Sequence, residues 1–259
     1  RYPLVTGVQT CALPIWKPVL IIPAIDIKNG KCVRLKQGRM SDETIFSDKP
    51  EEMAKKWFDC GAERLHLVDL DGAVSGKPVN RKAISRIVDA IPIPVELGGG
   101  VRDMATLRAY FDLGLQYVIL GTVAHKNPDF VKEACRLYPG RIILGIDARN
   151  DRIAVEGWTE EIDLTPADLA GRFAHDGLAA IIYTDINRDG MRTGCNVEAT
   201  GALARTTSIP VIASGGISEM DDVLRILPLA ADGVVGLITG RALYDGSLDL
   251  TAAIKAAGK

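Results

Sequence analysis

From Pro18 onward, short runs rich in Val and Ile alternate with longer segments whose apolar residues recur at helical spacing. The pattern predicts eight strands, at 19–25, 64–69, 93–97, 117–121, 141–147, 179–184, 210–213 and 233–237. The intervening helices fall near 50–60, 80–90, 103–113, 127–138, 165–176, 197–207, 219–230 and 242–258. Strands that read as continuous apolar runs are parallel strands covered by helices. Asn80, Asp103, Asn127 and Ser218 stand where helices begin, each with an oxygen able to accept from a free first-turn N–H.

The two halves repeat one another. IPAIDIKNGKCVRL from Ile22 matches ILGIDARNDRIAVE from Ile143, setting Asp26 against Asp147 at an offset of 121. LVDLDGAVSGKPVN from Leu67 matches YTDINRDGMRTGCN from Tyr183, and IPVELGGGV from Ile93 matches IPVIASGGI from Ile209, both at an offset of 116. Gly121-Thr122 faces Gly240-Arg241 at 119. Neither four-strand half buries its edges alone, so the pattern predicts an α/β fold, a single (β/α)8 TIM barrel with a two-fold half-barrel repeat. A doubly wound open sheet is the rival, and it requires no such duplication.

The 259 residues carry 31 Lys and Arg against 33 Asp and Glu, a formal charge of −2, which points to neither nucleic acid nor an anionic membrane as partner. At 47% hydrophobic and 25% charged, the composition is that of a globular chain with a full core. The five cysteines are odd in number and never form a CxxC pair, so a reducing cytoplasm is expected rather than a disulfide framework. Residues 1–16 show no helical or strand period and contain Pro3 and Pro14. They are expected to be a non-native or disordered extension ahead of a catalytic domain at 17–259, and TGVQTCALPI resembles translated sequencing-adapter sequence. Neither a secretory signal nor a membrane span reads from them.

In such a barrel the chemistry sits on the loops after the C-terminal strand ends. Gly99 and Gly100 follow the third predicted strand, Gly121 and Thr122 the fourth, Gly215 and Gly216 the seventh, and Gly240 and Arg241 the eighth. Glycine lets backbone N–H groups approach an anion, so the loop pairs read as two phosphate cradles, with tight strand exits as the alternative. Two cradles imply a small bisphosphate substrate. Asp26 and Asp147 end opposing strands, and a pair of carboxylates across a mouth divides general acid from general base work, provided their surroundings differ. Arg102 reads either as a ligand for phosphate or a substrate polar group, or as a solvated helix-start arginine. Thr184 and Asp189 are candidates for sugar hydroxyls, while Asp69 and Asp71 read as loop anchors. Trp158 either stacks on a flat heterocycle or is part of the core. The three histidines do not cluster, so no metal is expected, and His66 reads as a satisfied strand histidine.

IIPAIDIKNGKCVRLKQG, GAERLHLVDLDGAVSGKPVN, VELGGGVR, VILGT, LGIDAR, VEGW, YTDINRDG and IASGGI together resemble the phosphoribosylformimino-5-aminoimidazole carboxamide ribotide isomerase family of histidine biosynthesis. The likeness runs from about Pro18 to Ala256, and PAIDIKNGKCVRL and DLDGA separate it from the related cyclase. It implies a (β/α)8 barrel that needs no metal or organic cofactor and performs an Amadori rearrangement of an aminoaldose to an aminoketose. By the same resemblance Asp26 is the base, Asp147 the acid, and Thr184 and Asp189 assist. A cytoplasmic monomer is expected. An isomerase that also rearranges phosphoribosylanthranilate is the alternative. One departure is Cys195, where the family usually has Pro.

Overall fold

The computed structural model describes residues 18–36 and 39–258, so the expected extension at 1–16 lies outside the described residues. The strands among them are β1 (Leu20–Lys28), β2 (Lys31–Lys36), β3 (Arg39–Ser47), β4 (Leu65–Asp69), β5 (Val95–Gly98) and β6 (Tyr117–Leu120). They continue with β7 (Ile142–Arg149), β8 (Arg152–Val155), β9 (Glu160–Ile162), β10 (Ala180–Asp185), β11 (Val211–Ser214) and β12 (Val234–Thr239). Eight of them pair in parallel in the order β1-β4-β5-β6-β7-β10-β11-β12, and β12 pairs back to β1, which closes a (β/α)8 barrel. These eight match the predicted strands one for one.

Side-chain parity decides what lies inside. On β1, Ile22 and Ala24 join Ile143, Ala180, Ile182, Ile212 and Ile238 in the barrel interior, while Ile21 and Ile25 pack outward against the helices. Asp26 continues the inward series on β1, as do Asp147 on β7, Thr184 on β10 and Ser214 on β11. One alternation thus fills the floor with Ile and Ala and rings the mouth with polar groups and glycine.

Two hairpins were not predicted. β2 runs antiparallel to β1 and β3 to β2, and β8 and β9 extend β7 in the same way. Each turns back through two left-handed residues, Asn29 (φ 50) and Gly30 (φ 75), and Asn150 (φ 50) and Asp151 (φ 64). The helix predicted at 242–258 is two, Arg241–Asp245 and Leu250–Ala256, broken at Gly246 (φ 78) and restarted where Asp249 accepts from Ala252 N at 2.7 Å. The helix predicted at 219–230 is Met220–Ile226 followed by a 3₁₀ turn at Leu227–Asp232.

The capping readings divide. Asp103 accepts from Thr106 N (2.7 Å) and Asn127 from Phe130 N (3.2 Å), as expected. Asn80 does not cap the helix with its side chain, because its Oδ1 already accepts from Gly30 N (2.8 Å) while its NH₂ group donates to Asp69 Oδ1 (2.7 Å) and Asp71 Oδ2 (2.8 Å). At Ser218 the cap lies one residue later, at Glu219, which forms a capping box with Asp222 while the Ser218 hydroxyl donates to Asp222.

Candidate active site

The mouth opens into a cavity of about 330 Å³ at the C-terminal strand ends. All fourteen residues singled out from the sequence line it. Asp26 and Asp147 are there, with Arg102, Trp158, Thr184 and Asp189. So are Gly99, Gly100, Gly121 and Thr122 of one cradle, and Gly215, Gly216, Gly240 and Arg241 of the other.

The two aspartates have unlike surroundings. Asp147 accepts from the Trp158 indole N–H at 2.8 Å and from Thr184, yet burial outweighs these bonds and the nearby His66 and raises its carboxyl above the ordinary range. Asp26 lies 3.0 Å from the Arg34 guanidinium in a largely buried ion pair. One carboxylate has a cationic partner and the other has neutral donors, the asymmetry an acid and base pair needs. Asp189 lines the same cavity: burial pushes its carboxyl up to about 6, against the pull of Arg34, with Asp26 and Asp147 adding like charge.

Each cradle rests on an Asp–Asn clasp, and the two clasps are related by the repeat. Asp69, fully buried, accepts from Gly72 N (2.8 Å), Val79 N (3.1 Å), Asn80 N (3.1 Å) and the Asn80 amide (2.7 Å). Asp185 accepts from Asn187 N (3.0 Å) and the Asn196 amide (2.8 Å). Gly99 (φ 108) presses on the Asp69 carbonyl so closely that a Cβ has no room, and at Gly215 (φ 90) a Cβ would lie 2.6 Å from the Asp185 carbonyl. These glycines are therefore demanded twice, by backbone sign and by close approach.

The first cradle carries an internal carboxylate. Glu156, in a left-handed run with Gly157 and Trp158, donates its N–H to Thr122 Oγ1 (3.0 Å) and pairs with Lys126 and Arg102. Arg102 is thus ion-paired at the mouth. In the second cradle the Arg241 guanidinium donates to the Leu35 carbonyl (3.2 Å), while its Nε is buried with no hydrogen-bond partner among the described residues.

Arg34, His66, Glu156 and Ser214 also line the mouth and were missed as site residues. His66 is satisfied at Nδ1 by buried Glu96 (2.8 Å), as expected, but faces the cavity as well. Asp71 is a loop anchor as read, accepting from Asn29 N (2.6 Å). Cys195 is buried under the loop after β10, 3.9 Å from the Thr200 hydroxyl, and burial pushes its thiol up to about 11. Among the described residues no group of three or more His, Cys, Asp or Glu side chains is placed to hold a metal ion, and no helix is long and apolar enough to cross a membrane.

Residues 20–249 match the family described as histidine biosynthesis protein. Three relatives are named 1-(5-phosphoribosyl)-5-((5-phosphoribosylamino)methylideneamino)imidazole-4-carboxamide isomerase. That of Hahella chejuensis is 57% identical over 90% of this chain and 96% of its own length. Those of Syntrophus aciditrophicus and Geobacter sulfurreducens are 56% and 55% identical, over 92% and 91% of this chain and 99% and 97% of theirs. This chain belongs to the family of these isomerases. The matched residues 20–249 take in the Asp26 and Asp147 strands, both clasps and both cradles.

Proposed function

We infer that the protein catalyses the Amadori rearrangement of the histidine pathway, turning the phosphoribosylamino end of its ribotide substrate into the phosphoribulosyl aminoketose. The observation that carries the reading is the pair of repeat-related carboxylates, Asp26 and Asp147, facing one cavity between two glycine cradles. A substrate with a phosphate at each end spans such a mouth, and clamping both ends holds the reacting sugar over the floor.

Asp147, whose burial favours the protonated form, gives its proton to the ribose ring oxygen as the C1–O bond breaks, leaving an open-chain protonated imine. Asp26 takes the proton from C2, and the electron pair moves to neutralise the iminium as an enolamine. Loss of the O2 proton with proton return at C1 yields the ketone, so the reaction is redox-neutral within the substrate. Thr184 and Trp158 orient Asp147 through their hydrogen bonds. Asp189 meets the sugar hydroxyls and the Trp158 ring stacks on the imidazole, a reading supported by both residues lining the cavity. Backbone N–H groups at Gly99, Gly100, Gly121 and Thr122 take one phosphate. Those at Gly215, Gly216, Gly240 and Arg241 take the other.

No step calls on a cofactor, and we place the enzyme in the cytoplasm as a monomer. The test is conversion of the aminoaldose ribotide by purified protein, followed by coupling to the cyclase that consumes the aminoketose. Turnover is expected. A folded protein that binds the ribotide without converting it would overturn the reading.

A further inference from the structure

The hairpin after β1 places a second cation at the heart of the mouth. β2 pairs antiparallel with β1, with Val33 opposite Asp26, and the next residue, Arg34, pairs with that carboxylate at 3.0 Å. Its side chain is 11% exposed, a degree of burial a guanidinium accepts only among anions and acceptors. Tyr244, which donates to the Ala24 carbonyl at 2.9 Å, presents its ring 5.8 Å from the guanidinium carbon. Cys32, on the same face of β2, meets the Tyr244 hydroxyl at 3.3 Å and fixes the strand's height.

The same guanidinium lies against Gly240, where any Cβ would collide with it. Gly240 is the glycine of the second cradle, so an anion held there meets Arg34. A second guanidinium stands at this corner: Arg241 Nε is buried with no hydrogen-bond partner among the described residues. Arg34 therefore turns Nη1 toward Asp26 and Nη2 toward the cradle glycine. A planar fork with five N–H donors can serve two anions at once, which a lysine ammonium does as a point charge without the geometry.

We propose that Arg34 is a positioning residue that bridges the Asp26 carboxylate and the substrate phosphate seated in the second cradle, so that phosphate binding and orientation of the base are one event. The proposal rests on the reading of Asp26 as the base and of the Gly215–Gly240 corner as a phosphate site. It also explains why position 240 is glycine: the bridge passes through the space a side chain would fill.

The test compares the parent, Arg34→Gln, Arg34→Lys and Asp26→Asn in steady-state turnover, with inorganic phosphate as a competing anion and melting temperature as a check on folding. For Arg34→Gln, KM and the phosphate inhibition constant rise together by about tenfold or more, and kcat also falls by about tenfold or more. Arg34→Lys recovers most of kcat, since a charge again stands beside Asp26, but keeps the raised KM, since the fork is gone. A purely structural Arg34 would lower the melting temperature while leaving KM and phosphate inhibition of the folded fraction at parental values, and that result overturns the bridge. If Asp26→Asn turns over like the parent, the base assignment fails and takes the Asp26 half of the bridge with it. Parallel loss of phosphate inhibition in Arg34→Gln would then still locate the phosphate half.

Discussion

Asp69 and Asp185 occupy equivalent places under the two cradles, yet replacing each by asparagine has unequal consequences that follow from their hydrogen bonds. Both oxygens of Asp69 accept two N–H donors each: Oδ1 takes Gly72 N and the Asn80 amide, and Oδ2 takes Val79 N and Asn80 N. An asparagine amide, whichever way it is turned, therefore points an NH₂ group at two buried donors. At about 1–3 kcal/mol for each donor left unsatisfied, Asp69→Asn costs about 2–6 kcal/mol. Asp185 divides its donors, Asn187 N on Oδ1 and the Asn196 amide on Oδ2, with Arg188 Nε 3.6 Å from Oδ2, so asparagine keeps one bond and loses one together with a half-exposed ion pair of little weight, about 1–3 kcal/mol in all. In a domain of this size each kcal/mol moves the melting temperature by about 2–4 °C, which puts Asp69→Asn about 4–24 °C below the parent and Asp185→Asn about 2–12 °C below it, with the Asp69 loss about twice the other. Differential scanning calorimetry in phosphate-free buffer measures both without stabilisation by bound anion. Equal losses in the two variants, or an Asp69→Asn protein within about 2 °C of the parent, would refute the clasp as the support of the first cradle.

The other expectations concern the mouth. Trp158→Phe keeps a ring but removes the donor to Asp147, so the alkaline limb of the rate profile moves to higher pH and kcat falls about tenfold; an unmoved limb would detach Asp147 from the acid step. Asp189, held near 6 mainly by burial, keeps a proton in the folded state that the unfolded chain has already released. Its ionisation therefore weakens the fold as pH rises from about 4 to about 6, and Asp189→Asn stabilises the protein at pH 7 by on the order of 1–3 kcal/mol, a gain that closes toward about pH 4. Melting curves across that range check it, and a pH-independent difference would contradict it. Gly215→Ala combines a left-handed φ of 90° with a Cβ 2.6 Å from a backbone carbonyl and costs about 2–5 kcal/mol. Gly177→Ala, at φ 76 with open space around it, costs about 1–2 kcal/mol, so thermal denaturation must rank the two in that order.

Much of the barrel was legible because its two periods are independent and agree. The apolar runs place the strands, and the repeat at offsets of 116 to 121 says that they close on themselves. The inward parity that carries Ile22 and Ala24 to Asp26 also carries Ile143 to Asp147, so both carboxylates were readable as mouth residues. What escaped was the pair of hairpins. Asn29-Gly30 between IDIK and KCVRLK is a two-residue turn signal, and its partner Asn150-Asp151 is weaker because Asp enters the left-handed region less readily than Gly. Missing the first hairpin hid Arg34, whose alternation with Val33 and Leu35 is plain once the strand is drawn. Missing the second hid Glu156, whose contacts with Lys126 and Arg102 join three loops far apart in sequence. Asn80 shows a different limit: an asparagine before a helix reads as a cap, and only the fold reveals that Gly30 N takes its oxygen while the buried Asp69 carboxylate takes its NH₂ group.

The central claim is that two carboxylates, one from each half-barrel, perform a single isomerisation. Turnover of the aminoaldose ribotide by Asp26→Asn and Asp147→Asn, measured beside the parent in the cyclase-coupled assay, tests it most directly. Both variants should fold and bind the ribotide, with kcat lowered by about 10²- to 10⁴-fold in each. Either variant turning over at the parental rate would contradict the account.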